Sequence, residues 1–459
     1  MLQYKGKIIY FNIKGRKIMT DIVFSFDTED FTSKRAADAI YRESKILEEE
    51  GVRGCFCLVG LLADQLVAWG REDVLEALSY HETDSHTYGH TLHPMINEYT
   101  DIENAYEAID RVIAEESLAV EKIKKATGVD KIYAAVPPGN QKSYAAMYAY
   151  HKMGIPIYAD TFCDTVDGEG TYYCNIYHMA YYEAMESFFN GDEGDIKRLI
   201  DKIAKRKRAV IYTHPNSAIS VGCWDILNYD KENLVKFGEF LQCPEHPAEV
   251  TERFYSNIRT MIRMVKADSR FRITTYKEIS EELKKEGERV VKSEDIPYIA
   301  NRLNTSFESI RYPVSLSISD VMLACRDFLQ GKKEHKCGDV YGFLNKPYAV
   351  SEEITLKAED IKASSYTIRD DEFLPSEITV GGVKIGPADW LFAALEILQG
   401  KTEARVLPRN QLPSLDVIPE TRDAYFKGTW RHSDSFEDKY LSDRLRWQIW
   451  TLRFATVKE

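Results

Sequence analysis

Short apolar runs alternate with longer stretches of helical periodicity through roughly the first 290 residues of this chain. Asp21-Ile22-Val23-Phe24-Ser25-Phe26 is rich in β-branched and aromatic residues and predicts a buried strand. Residues 33–50 carry a helical pattern that opens at Ser33 and stops at Gly51. A second strand is expected over 52–59. A helical stretch follows over 61–78, interrupted by Gly70. Residues 101–127 predict a long amphipathic helix, opened by acids and closed by Gly128. Further strands are expected over 131–136, 155–158, 209–213 and 271–275. Such alternation predicts an α/β fold with a parallel sheet or an incomplete β/α barrel.

The pattern changes after a charged helix at 278–289 and a polar link near Ser293-Glu294-Asp295. Leu316-Ser317-Ile318-Ser319-Asp320 precedes an apolar stretch to Leu329 and then Gln330-Gly331-Lys332. Ile385-Gly386-Pro387-Ala388-Asp389 precedes a second stretch to Leu398 and then Gln399-Gly400-Lys401. Each copy reads as a short strand, a helix capped near its start and a glycine stop. Residues 300–459 are therefore expected to form a smaller α+β accessory domain, with related units near 314–332 and 383–401. A role in dimerisation or in closing the cleft of the first domain suits such a module. Near the end, Leu441, Leu445, Ile449 and Leu452 form a helical apolar stripe beside Trp430, Trp447 and Trp450, which packing explains.

Chemistry gathers where strands end. Asp27, Glu29 and Asp30 follow the first strand, and three acids in four residues exceed what a helix cap needs. A cation would relieve their repulsion. His86 and His90 stand four apart in Ser85-His86-Thr87-Tyr88-Gly89-His90, a spacing that on a helical turn aims both rings at one ion. Two imidazoles and one carboxylate leave positions open for water and substrate. His214 ends another apolar run, next to Pro215, and suits proton transfer near neutral pH.

In this order the parts resemble the polysaccharide deacetylase family, also called carbohydrate esterase family 4, over roughly residues 20–290. Ser25-Phe26-Asp27-Thr28-Glu29-Asp30 looks like the family's first motif, and His86-Thr87-Tyr88-Gly89-His90 fits the second. Ala135-Val136-Pro137-Pro138-Gly139 looks like the third, and Ile211-Tyr212-Thr213-His214 like the last. The resemblance implies a distorted (β/α) barrel with fewer than eight strands and removal of acetyl groups from N-acetylated sugars. It implies that Asp27 is the catalytic base, His214 the general acid, and His86 and His90 metal ligands. The third ligand is Glu29 or Asp30, because Thr28 breaks the family's adjacent aspartate pair. Ala135 stands where the family has an arginine that orients the base. Pro138, Gly139, Tyr158 and Trp224 are the expected substrate contacts. The metal is expected to be a divalent transition ion, with zinc as the default and cobalt or nickel fitting the same ligands. Two other readings remain: a C–N hydrolase acting on a small amide or ureide, and a non-catalytic carbohydrate-binding descendant.

Composition narrows the partners. The 459-residue chain is 44% hydrophobic and 29% charged, as a globular enzyme would be. Its net charge of −13 opposes nucleic acid. No apolar stretch approaches the ~20 residues of a membrane span. Residues 1–18 hold five basic residues and no apolar core, and read as an extension before Met19. A cytoplasmic location, no membrane partner and a possible homo-oligomer are expected. The eight cysteines show no zinc-type pairing. Cys55 and Cys57 read as thiols on opposite strand faces, hence as buried free thiols rather than a chelate.

Overall fold

The computed structural model describes residues 19–138, 142–159, 163, 169–179, 182–188, 191–230, 233–311, 313–413 and 436–455. The expected extension at 1–18 lies outside them. The first strand, β1 (Thr20–Thr28), is buried along its whole length and occupies the middle of a curled parallel sheet. On one side stand β2 (Cys55–Leu58), β3 (Glu82–Ser85), β4 (Ala134–Ala135) and β5 (Ile157–Ala159), each parallel to the one before. A hairpin of β6 (Thr171–Tyr173) and β7 (Ile176–Met179) continues that side, with β7 parallel to β5. On the other side β8 (Tyr182–Ala184) pairs with β9 (Arg208–Thr213), and β9 with β1. Phe271–Ile273 adds to the first half of β1. The fold is mixed α/β, a curled half-barrel.

Among the described residues ten helices surround or close this sheet: α1 (Lys34–Glu49), α2 (Gly60–Ala68), α3 (Glu72–Leu78), α4 (Ile96–Thr100), α5 (Ala105–Thr127), α6 (Tyr144–Lys152), α7 (Glu193–Ile203), α8 (Trp224–Tyr229), α9 (Ala248–Ala267) and α10 (Tyr276–Leu283). Ser33 caps α1, its hydroxyl accepting the Arg35 N–H. Gly128 ends α5 at φ 74°, a left-handed conformation that a side chain would strain. Alternate residues of β1 divide between two layers. Ile22, Phe24 and Phe26 join the larger outer core, while Val23 joins an inner cluster with Cys55, Cys57, Ala134, Val136, Ile157 and Val210. Tyr276, Ile279 and Leu283 of α10 pack against that inner cluster.

Two findings correct the sequence reading here. Cys55 and Cys57 share the inner face, because residues two apart on a strand point the same way. Both are buried and free, as expected. The other is β3, which was not foreseen. Its sequence, Glu-Thr-Asp-Ser, is polar, yet Thr83, Asp84 and Ser85 are buried between β2 and β4. Side-chain bonding compensates for the missing apolar surface. Asp84 Oδ1 accepts the N–H groups of Tyr133 (2.7 Å) and Ala134 (2.9 Å).

After residue 290 the two similar stretches form helices of equal length, Ile318–Leu329 and Pro387–Leu398. Each is followed by a left-handed glycine, Gly331 or Gly400, and a short strand, Glu334–Lys336 or Glu403–Val406. Asp320 and Asp389 accept the backbone N–H groups of Ser317 and Gly386 at the two helix starts. The buried side chains of this part are continuous with the core of the half-barrel. Arg444 donates to the carbonyls of Ile102 and Glu103 and to the Tyr144 hydroxyl. Arg453–Phe454 pairs antiparallel with β6 and forms the edge of the main sheet. Leu441, Leu445, Ile449, Leu452 and Trp450 are all buried. Trp430 lies outside the described residues. Among the described residues no helix is long and apolar enough to cross a membrane.

Candidate metal centre

The carboxyl ends of β1 and β3 meet above the sheet. Asp27 is the penultimate residue of β1 and Glu29 follows the strand directly. His86 follows β3, and its N–H still bonds the Leu58 carbonyl of β2. The chain then leaves the ladder. Residues 86–90 are not helical, which corrects the expected helical turn. Thr87 (φ 70°) and His90 (φ 55°) are left-handed instead, and they turn the segment back on itself. A β-branched residue in that region is strained, as backbone at working sites often is. The turn is held from two sides. The His90 N–H bonds Thr87 Oγ1 at 3.2 Å. The carbonyls of Thr87 and Tyr88 accept the N–H groups of Gly60 (2.9 Å) and Leu61 (3.0 Å), at the start of α2. Gly60 lets α5 and the turn both come close, since a Cβ there would lie 2.9 Å from Ala119 Cα and 3.3 Å from the Tyr88 carbonyl oxygen.

The turn brings the two imidazole rings to 5.2 Å between centroids, with Glu29 beside both. Glu29 Oε2 lies 2.7 Å from His90 Nε2 and 3.4 Å from His86 Nε2. Potential ligand atoms of Glu29, His86 and His90 all fall within 4.8 Å of one another. All three residues are buried. Asp30 is not in this group. Its Oδ1 accepts the N–H (2.9 Å) and hydroxyl (2.6 Å) of Thr32, and burial raises its pKa to about 6. Glu29 therefore occupies the carboxylate position that the sequence left open between the two.

Trp224, expected as a substrate contact, is only 1% exposed. Its indole N–H donates to Glu29 Oε1 at 2.9 Å and its ring lies 5.3 Å from that of His90. Tyr158 is fully buried, packed on Tyr150 (6.0 Å) and His178 (5.2 Å), and is a core residue rather than an open surface. Pro138 is buried just beyond β4, and Gly139 lies outside the described residues. A cavity of about 430 Å³ adjoins the histidine turn, lined by His90, Met95 and Tyr99 among others. Neither Asp27 nor His214 reaches it, so it is not where those groups meet.

His214 directly follows β9 on the opposite flank, with Nε2 3.9 Å from Asp27 Oδ2. Glu186 holds it: one carboxylate oxygen contacts His214 Nδ1 (3.1 Å), the His214 N–H (2.6 Å) and the Thr213 hydroxyl (2.7 Å). The sequence reading missed Glu186. Its one visible clue is its place just after β8. It also missed Asp225, whose Oδ2 is 3.9 Å from His90 Nδ1. Among the described residues Asp27 Oδ1 is buried and accepts no hydrogen bond.

The electrostatics follow from burial of four carboxylates near three imidazoles. Burial would raise Glu29, but His90 and His214 outweigh it and hold the carboxyl well below its usual range. His90 rises against its own burial because Glu29 faces it. His214 is raised well above the ordinary imidazole value. Burial opposes that shift, and Glu29, Glu186 and Asp27 overcome it. Asp27 is raised, chiefly by burial. Both ring nitrogens of His86 are buried without a hydrogen-bond partner. Two imidazoles and a carboxylate this close together form a possible Glu/His/His metal site.

No family model matches the chain, and no curated protein matches it in sequence. Solved structures do. A provisional polysaccharide deacetylase from Mycobacterium smegmatis is 13% identical with a TM-score of 0.39, covering 58% of this chain and 90% of that one. A family 4 carbohydrate esterase from Streptomyces lividans, in complex with acetate, is 12% identical with a TM-score of 0.32, covering 56% and 92%. A 4-alpha-glucanotransferase from Thermococcus litoralis is 12% identical with a TM-score of 0.40, covering 62% and 46%. At these scores the likeness is distant, and the functional reading rests on the side chains.

Proposed function

We propose that the protein is a metal-dependent hydrolase that removes the acetyl group from an N-acetylated sugar. The observation that carries this reading is the meeting of Glu29, His86 and His90 with Asp27 and His214 at the carboxyl ends of β1, β3 and β9. The order of these motifs along the chain supports the sugar amide as substrate. A divalent cation held by Glu29, His86 and His90, zinc by default, would polarise the amide carbonyl and activate water.

The chain's own groups do the rest. Asp27 accepts a proton from the attacking water as its oxygen bonds to the carbonyl carbon. Its free Oδ1 and its raised pKa suit a base. His214, whose pKa the neighbouring carboxylates raise, is fixed through Nδ1 by Glu186, which leaves Nε2 to deliver a proton. That proton goes to the amide nitrogen as the C–N bond breaks, leaving acetate and the free amine. Trp224 anchors Glu29 so that one carboxylate oxygen stays aimed at the histidines. Residues 300–459 act as an accessory part that braces the edge of the sheet through Arg453–Phe454.

The test combines elemental analysis with acetate release from N-acetylated sugars. The unsubstituted chain should hold one transition-metal equivalent more than the His86→Ala and His90→Ala variants, and only the former should release acetate. Protein prepared without chelator that holds no metal, and takes none up at these histidines, would sink the reading.

A further inference from the structure

The inner face of the sheet carries a second group of ligand-type side chains that the proposed reaction does not use. Cys55 opens β2 and is paired in register with Glu82, which opens β3. Asp84 stands two residues further along β3, on the same face. Potential ligand atoms of all three lie within 4.8 Å of one another, and Cys55 Sγ is 3.8 Å from Glu82 Oε1. Cys55 and Asp84 have no exposed surface at all.

Each carboxylate is anchored by backbone, and neither is neutralised by a side chain. The Glu82 oxygens accept the Lys277 N–H at 2.9 and 3.1 Å, at the start of α10. Asp84 Oδ1 accepts the N–H groups of Tyr133 and Ala134. Asp84 Oδ2 is buried and accepts no N–H or hydroxyl, and the Glu82 carboxylate lies within reach to share a proton with Asp84. Among the described residues neither Glu82 nor Asp84 forms a salt bridge. A buried carboxylate, a half-buried one and a buried thiol close together, without a counter-charge, call for a cation or a shared proton.

The geometry points to a second cation site formed by Cys55, Glu82 and Asp84 at the amino ends of β2 and β3, taking a divalent ion of borderline softness such as Zn2+. A thiolate selects against Mg2+ and Ca2+, and the two carboxylates complete a tridentate set. The ion enters as Cys55 loses its proton and Glu82 and Asp84 lose the one they would otherwise share, both going to solvent, and it takes Asp84 Oδ2 as a ligand. Bound there, it ties β2, β3 and the start of α10 together and closes the amino end of the half-barrel.

The experiment uses the full chain carrying both His86→Ala and His90→Ala, which removes the upper set. Zn2+ binding is read by equilibrium dialysis and Cd2+ binding by its thiolate charge-transfer band. Expected are about one equivalent of Zn2+, a Cd2+ band, and a higher Tm with the ion. Adding Cys55→Ser should abolish the band. If that variant does not fold, Asp84→Asn in the same background replaces it, with weakened Cd2+ binding expected. A folded double-histidine variant with no Zn2+ uptake and no Cd2+ band overturns the proposal in favour of a proton shared by Glu82 and Asp84. The double variant lacks both histidines of the upper set, so the outcome is separable from that of the deacetylase reading.

Discussion

The two ligand clusters grow from the same strand, β3, and are built by opposite means. The lower one lies inside the ladder. Register and the two-residue alternation set its distances, so Cys55, Glu82 and Asp84 meet without any unusual backbone. The upper one begins where the ladder stops. His86 takes its place from β3, but His90 is carried back by a turn with two left-handed residues, and Glu29 arrives from another strand. Regular pairing yields a largely enclosed set in which Glu82 alone is partly exposed. A strained turn yields a set with one flank left for His214, whose side chain is 32% exposed. The contrast is between a cluster that can only bind and one that has room to react.

The largest effect that would sharpen this contrast is His90→Ala. Acetate release should fall to background, while thermal stabilisation by zinc at the lower cluster persists. Loss of both together would mean that the clusters are one cooperative unit. Next comes Asp27→Asn, expected to lower kcat by about 10²–10⁴-fold with the metal content of the upper set unchanged. Full activity in that variant would remove Asp27 from the base role. A smaller effect is expected from Trp224→Phe, which keeps the ring and deletes the donor to Glu29. Metal affinity should drop about 10–100-fold, measured by competition with a chelating dye, and unchanged affinity would reduce the tryptophan to packing.

The smallest effect concerns pH. Glu186 is one of the carboxylates that raise His214. Replacing it with glutamine removes negative charge and lowers the His214 pKa, so the alkaline limb of the kcat/KM profile should move to lower pH. A limb that stays in place would assign it to a different acid. Metal loading should act in the same direction, because a bound cation offsets the charge of Glu29. His214 should therefore titrate lower in metal-loaded than in metal-free protein, as followed by the chemical shifts of its ring.

The parts legible in the sequence were those written in apolar residues or in tight spacing. β1 and β9 announce themselves as apolar runs with Asp27, Glu29 and His214 at their ends, and His86 and His90 are marked by their spacing. β3 was invisible because its buried residues are Thr, Asp and Ser, held by backbone donors that no hydropathy pattern records. The spacing of His86 and His90 was read as a helical turn because four residues is the helical repeat. Positive φ values at Thr87 and His90 achieve the same convergence by another route. Glu29 and Asp30 could not be separated until the Thr32 bonds of Asp30 were seen. Trp224 and Tyr158 looked like sugar platforms since aromatic type says nothing of burial. Glu186 was missed for want of any motif around it.

The edge strand Arg453–Phe454 has a consequence for how the molecule assembles. It pairs with β6, and close by the Cys174 N–H bonds the Thr451 hydroxyl across 277 residues of chain. Contacts of such sequence separation form late, because their loop-closure entropy is met only once the intervening parts are compact. During synthesis β6 must therefore wait as an unpaired edge while nearly three hundred further residues emerge, and that interval is when this chain is most exposed to association with its neighbours.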